Sequence, residues 1–295
     1  MKRSAYPIKT MSVAALLLLC SSAFLGAFDF GLAAEQEFSA QGNYDNAVID
    51  YTYTAGLVPY FSIPLGNSGD LYISAKVSGV YEREEWFFVP EILHTEFSLR
   101  FDNLKIRIGR MPYADPLNFI VEGLFDGAQV LCDTPIGSFN AGAWYTGLLY
   151  KKSASIMMTQ EDYISYYAPV DYNNFSDTYF ASRRLLAAAG WEHPSLAQLI
   201  RVRTALTGQF DYNDVNKPYH SAYFSGKAVM PLKRFVFNAG FGICMDTEEI
   251  ELGYTWETGI SWLPPTPLFS QLSLNWRSGH GKFVPVTVKD QGEIL

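Results

Sequence analysis

Residues 97–111 read FSLRFDNLKIRIGRM, two alternating runs on either side of a two-residue Asp102-Asn103 turn. With residue 101 opposite 104, both runs put their apolar side chains on one face: Phe97, Leu99, Phe101, Leu104, Ile106 and Ile108. The other face carries Glu96, Ser98, Arg100, Lys105 and Arg107. A period of two sends successive side chains to opposite faces of a sheet, so this hairpin divides two unlike surroundings. Arg100 and Lys105 fall directly across from each other at the turn, with Arg107 beside them. Like charges so placed repel and are tolerable only where water screens them. That face is read as wet. The apolar face turns away from water, into either a protein core or a bilayer.

The rest of the chain decides between the two. Alternation and turn residues mark about thirteen strands, near 29–39, 48–63, 70–82, 92–101, 104–112, 124–132, 138–150, 182–192, 197–211, 220–230, 234–245, 249–262 and 268–277. Most exceed the ~5–6 residues of a typical globular strand and suit the ~9–11 that cross a bilayer at a tilt. No segment of helical period interrupts them. Beyond the N-terminus, no apolar run approaches the ~20 residues of a spanning helix. Aromatics make up 16% of the chain and charged residues 18%, against roughly 25% charge in ordinary soluble domains, and mean hydropathy is near zero. A soluble two-sheet protein with this alternation needs more surface charge. The expected fold is all-β: a transmembrane, antiparallel, up-and-down β-barrel.

The connections support this. DN (102–103), DTPIG (133–137), HPS (193–195), PLKR (231–234) and LPPTP (263–267) are short, whereas 82–91, 112–123, 151–181 and 212–219 are longer. With the N-terminus on the periplasmic side, the short links fall there and the long ones outside, apart from DTEE (246–249). That is the sorting of outer-membrane barrels. Parity raises a difficulty. Thirteen strands are odd, the strand near 268–277 runs outward, and the chain ends on Leu295 rather than an aromatic residue. An open edge in lipid leaves backbone groups unpaired. Either a closing strand lies beyond this sequence, giving fourteen or more strands, or 283–289 is that strand.

Elsewhere one strand face is again consistently apolar: Leu71, Ile73, Ala75 and Val77; Ile200, Val202, Leu206 and Phe210; Phe235, Phe237, Phe241 and Ile243; Leu252, Tyr254, Trp256, Ile260 and Trp262. Tyr81, Trp191, Phe210, Trp262 and Trp276 sit near strand ends, where aromatic girdles meet headgroups. The opposite face carries charge in two groups: basic Arg100, Lys105, Arg107, Arg201 and Arg203, and acidic Glu249, Glu251 and Glu257. Opposed walls of this kind would set a transverse field across a pore; salt bridging inside a plugged barrel is the plainer reading. Segment 151–181, rich in Tyr, Asn and Asp, would fold inward as a constriction or present an outer binding surface.

The N-terminus sets the compartment. Lys2, Arg3 and Lys9 precede an uncharged apolar run closed by Gly26-Ala27, the layout of a secretory signal spanning 1–27, with the barrel in 28–295. Removing its three positive charges from a net −8 leaves −11, which argues against nucleic-acid binding. Cys20 leaves with the leader; Cys132 and Cys244 are too few for a disulfide framework.

FDFGL (28–32), LKIRIGRMPYADP (104–116) and GLFDGAQV (123–130), set among aromatic alternating strands, resemble porin-type bacterial outer-membrane barrels, especially those of spirochaetes. The resemblance covers most of 28–285. It implies outer-membrane location, folding by the barrel-assembly machinery, and passive solute passage or surface antigenicity; a homo-oligomer is compatible with it. The missing terminal aromatic departs from the pattern.

Motifs for chemistry are lacking. There is no His-Glu-x-x-His, Gly-x-Ser-x-Gly or phosphate-binding loop, no metal or cofactor set, and His94 reads as an inward strand residue. The chain is expected not to be an enzyme. A channel for small hydrophilic solutes is the first reading, and a surface adhesin or structural barrel, with binding carried by 151–181, is the alternative.

Overall fold

The computed structural model describes residues 28–43, 48–82, 85–213, 218–246, 252–264 and 271–280. The expected leader, Glu249, Glu251 and the segment 283–289 lie outside the described residues. One antiparallel sheet runs β1 (Asp29–Asn43), β2 (Val48–Leu65), β3 (Gly69–Glu82), β4 (Glu85–Phe101), β5 (Leu104–Ala114), β6 (Glu122–Thr134) and β7 (Gly137–Tyr145). After the two-residue β8 (Ala154–Ser155) it continues through β9 (Arg184–Leu196), β10 (Ile200–Asp211), β11 (Ser221–Leu232), β12 (Phe235–Asp246), β13 (Leu252–Trp262) and β14 (Leu272–His280). Each long strand pairs with its sequence neighbours, and β8 adds to β6 off that path. This is the expected up-and-down barrel wall. Among the described residues it is not closed: no β1–β14 pairing occurs. With thirteen long strands alternating in direction, β1 and β14 run the same way. Antiparallel closure therefore takes an odd number of further strands between them.

The register of the opening hairpin is the expected one, Phe101 opposite Leu104 and Arg100 opposite Lys105. Asp102 takes φ 43° and Lys233, in the β11–β12 turn, φ 55°, the positive-φ turns whose twist matches that of paired strands. The turn expected at 193–195 lies further on. Strand β9 runs through it to Leu196, and Ala197 and Gln198, at φ 51° and 62°, make the reversal. The expected loop 82–91 is mostly strand, because Glu82 and Glu85 already face each other across β3 and β4.

Burial is inverted relative to a soluble sheet. Along β10, Leu206 and Phe210 are 58% and 42% exposed, while Thr207 and Gln209 are 1% and 0%. Leu57, Val77, Phe101, Ile108, Phe241 and Trp256 are likewise exposed, and Ser74, Ser78, Glu96, Ser98, Gln129, Ser225, Thr255 and Glu257 are buried. Water leaves no reason for an apolar surface this extensive. Hydrocarbon does, and the polar residues then line the concave side.

Two parts of the chain depart from the strand pattern. Segment 146–183 contains helix α1 (Gln160–Tyr167), a 3₁₀ turn (Tyr172–Asn174) and helix α2 (Phe175–Tyr179), where no helix was expected. Thr159 caps α1: its hydroxyl accepts from Asp162 N–H and the Asp162 carboxylate accepts from Thr159 N–H. The second departure is in the wall. Strand β4 pairs with β5 only over Thr95–Phe101. At Gly109, φ 119°, a Cβ would overlap the Thr95 carbonyl oxygen, so only glycine lets β5 leave β4 here. The bared edge of β4 is satisfied by side chains. The Tyr172 hydroxyl accepts from Phe88 N–H and donates to Phe88 O, at 2.7 and 2.5 Å. Tyr179 donates to Pro90 O, and Arg110 to Ile92 O at 2.6 Å. An unpaired backbone edge in lipid is costly, and the loop removes that cost.

Candidate functional site

Strand β5 ends at Ala114 and the chain turns into the barrel rather than over it. Asp115, fully buried, holds the turn: its carboxylate accepts from the N–H groups of Leu117, Phe119 and Ile120 at 2.8–2.9 Å and of Val121 at 3.3 Å. Aspartate suits such a turn because its short side chain reaches the backbone that follows it, and several N–H donors stabilise a buried carboxylate. Residues 115–121 then span the interior. A Cβ on Gly240 of β12 would lie 2.6 Å from Leu117 Cδ2. The Arg277 guanidinium of β14 sits 4.0 Å above the Phe119 ring, a cation–π contact. The sequence reading took 112–123 for an ordinary outer loop; the structure makes it the inward one.

Around this loop lies a buried apolar cluster. Met111, Tyr113, Phe125, Trp144, Leu186, Tyr223 and Cys244 come from the wall, and Leu149, Ile156 and Met157 from segment 146–183. Its members come from β5 to β12 and their loops; among the described residues none comes from β1 to β4. This buried packing lies beside the inward loop, against β5–β12. In segment 151–181, Ala154, Ile156 and Met157 pack into the cluster, while Ile164, Tyr167 and Tyr172 are exposed. Lys151 ties the parts together, donating to Ser165 O and Ala168 O at the end of α1 at 2.9 and 2.6 Å. Burial, with Lys152 adding to it, pushes its ammonium down to about 8.

The inward charges form a belt on the turn side of the loop. Arg107 grips Glu96 with two bonds of 2.7 Å and reaches Gln129 at 2.9 Å. Lys105 Nζ is 3.8 Å from the same carboxylate, and His94 2.9 Å from it. Arg201 and Arg203 share Glu192 at 2.6 and 3.6 Å. Lys227 and Arg277 share Glu257 at 2.7 Å each. Arg100 faces Lys105 across the turn. Arg107, Lys105, Arg201, Arg203 and Glu257 thus meet in shared ion pairs on the polar face of the wall, together with Arg100 at the turn. Among the described residues, Glu96, Glu192 and Glu257 are each shared by two of these cations. The sequence reading missed Glu192, Lys227 and Arg277; the inward alternation of their strands was the signal available. Cavities of about 230 Å³, lined by Arg107, Gln129, Asn140, Glu192 and Arg203, and about 460 Å³, lined by Lys227, Asn238, Glu257, Asn275 and Arg277, flank the belt. Among the described residues no group of His, Cys, Asp and Glu is placed to hold a metal ion.

No protein-family model matches the chain, and no curated protein matches it in sequence. Solved structures do resemble it. OccD3 (OpdP) of Pseudomonas aeruginosa superposes with a TM-score of 0.51 at 12% identity, covering 86% of this chain and 58% of its own. OprB of Pseudomonas putida gives 0.51 at 13% identity, covering 96% and 80%. The chain thus spans 58% of the length of OccD3. At such identities the likeness concerns the fold, and it agrees with the wall described above. The fold this architecture defines is the transmembrane up-and-down β-barrel, the fold of those outer-membrane proteins.

Proposed function

We propose that the chain forms the greater part of an outer-membrane, porin-like channel through which small hydrophilic solutes diffuse passively. One observation carries this: the wall hides its serines, threonines, glutamines and charges and bares its leucines and phenylalanines, the inverse of a soluble sheet. Water would then pass between the inward loop 115–121 and the β1–β4 wall, beside the belt of shared ion pairs. The reading includes a leader over 1–27, a barrel over 28–295 folded by the assembly machinery, and kinship with spirochaete barrels through the three motifs at 28–32, 104–116 and 123–130. Refolding the full chain into planar bilayers tests it. Discrete conductance steps are expected; a folded, inserted protein that passes no current refutes the channel.

A further inference from the structure

We propose that the wall carries a binding groove for one acyl chain of a membrane lipid, on its lipid-facing side where β4 parts from β5. The proposal goes beyond the channel reading and does not use it; it needs only that the apolar face meets lipid. Three observations support it. First, a cavity of about 370 Å³ lies at the seam, with Val77, Pro90 and Ile92 on one side and Leu148, Phe175 and Phe180 on the other. Val77 pairs with Pro90, and Ala75 with Ile92, across β3 and β4. Val77 and Ile92 are exposed, whereas Ser74 and Ser78, on the opposite face of β3, are buried. The cavity thus opens on the outer face and is continuous with its apolar surface. Second, the far side of the cavity is fixed. Phe175 stacks on Tyr179 at 4.5 Å and 22°, and Tyr179 donates to Pro90 O. Third, Arg110 lines the cavity and belongs to an ion pair on the lipid side. By alternation Arg110 shares its face of β5 with Ile106 and Ile108, and Asp126 shares its face of β6 with Ala128 and Val130. The guanidinium binds both Asp126 oxygens at 2.8 and 2.7 Å, Ile92 O at 2.6 Å and Leu148 O at 3.0 Å.

The occupant follows from depth. Tyr81 and Trp86 face each other near the outer ends of β3 and β4, and Val77 pairs with Pro90 four residues further in along each strand. At ~3.4 Å per residue and a tilt of about 35–45°, the cavity lies roughly 10 Å below that aromatic level. The molecules surrounding the wall there are acyl chains, not water. An empty cavity forfeits the dispersion contacts of its lining, and a methylene chain matches a groove walled by valine, isoleucine, leucine and phenylalanine. Ionisable groups facing hydrocarbon are tolerated only when paired and covered. A chain in the groove runs past Arg110 and extends the cover over its ion pair. Arg110 is already engaged by Asp126, so the groove recognises the chain and not a headgroup. The bound chain seals a seam that the strands leave, because β4 and β5 pair only over Thr95–Phe101 and Leu104–Arg110.

The experiment reconstitutes the full chain in dioleoylphosphatidylcholine containing a phosphatidylcholine with a photoreactive diazirine in its acyl chain. Excess detergent then strips loosely held lipid before irradiation. Native mass spectrometry should find a single lipid on the folded chain, and its adducts should fall at Leu148, Phe175, Phe180 and the paired stretches 75–77 and 90–92. Phosphatidylglycerol should be retained equally well. Ala75→Phe and Val77→Phe, which fill the groove from the wall, should weaken retention by about tenfold. Leu206→Phe, on the exposed face of β10, should not. No retained lipid, adducts spread evenly over the wall, retention confined to one headgroup, or retention unchanged in both filling variants overturns the groove. So does an assembly of two or more chains that carries no lipid. If the filling variants fail to fold, the adduct pattern of the wild type decides alone. A chain that inserts into the bilayer yet keeps no lipid overturns only the groove; one that stays dissolved without detergent overturns the lipid-facing wall itself.

Discussion

Arg184 is the first residue of β9, and its side chain is 1% exposed. It binds the Asp162 carboxylate of α1, the Asp211 carboxylate at the end of β10 at 2.5 Å, and Tyr219 O at 3.3 Å. One guanidinium thus ties segment 146–183 and the chain at Tyr219 to the barrel rim. Arg184→Met keeps the bulk and removes the charge, leaving two buried carboxylates without their cation. Breaking a buried pair in this way costs about 3–5 kcal/mol. The lower end is expected, because Asp162 keeps bonds from Ser182 and Asn213, and Asp211 keeps those from Asn213 and Tyr219. Urea unfolding of the detergent-refolded protein measures the loss, and limited proteolysis reports whether segment 146–183 is released. Acid adds a test of sign. Burial raises the Asp162 carboxyl, but the Arg184 charge and the bonds from Ser182 and Thr159 outweigh it and hold it below its ordinary 3.8. A group depressed in the folded state stabilises above its unfolded value and loses that contribution as pH falls through the folded one. Wild type should therefore lose loop protection below about pH 4, and the gap to Arg184→Met should shrink there. A loss under about 1 kcal/mol at pH 7, within the range of an exposed pair, together with an intact loop, would refute the reasoning.

Three further outcomes are expected. Asp115→Ala removes the acceptor of four backbone N–H groups and should cost on the order of 3–5 kcal/mol while raising single-channel conductance; an unchanged conductance would mean that 115–121 does not narrow the path. Glu257→Gln removes the carboxylate shared by Lys227 and Arg277, so the reversal potential in a salt gradient should shift toward anion preference. That shift should fade near 1 M salt, where the screening length is about 3 Å, and a shift toward cations would contradict the belt. Gly109→Ala combines positive φ with a Cβ against Thr95 O, costing roughly 3 kcal/mol or more; the folded, heat-modifiable fraction on a gel should fall sharply, and a wild-type fraction would count against the pinch.

Much of the wall was legible in advance because strand alternation is a local property. Phe97, Leu99, Phe101, Leu104, Ile106 and Ile108 had to share a face once the Asp102-Asn103 turn set the register, and the long strands with few charges required that face to meet lipid. Helix α1 escaped because eight residues show too little period to read, although Thr159 and Asp162 had the spacing of a capping pair. Strand β9 ran past His193-Pro194-Ser195 because its partner β10 offered pairing there as far as Leu196, and cross-strand pairing overrides a local turn signal.

What no local pattern contains is where a loop goes. PYADPLN reads as a surface connection; only the assembled barrel supplies the Gly240 gap for Leu117 and the Arg277 cation for Phe119. The pairing of charges had the same origin. Alternation put Arg107, Arg203 and Glu257 inside, but which carboxylate each cation meets depends on strand order and tilt across distant parts of the chain. The sequence by itself determined the two faces of the wall, because alternation is set residue by residue. The tertiary structure alone decided what occupies the space the wall encloses, because that depends on contacts between segments far apart in the chain.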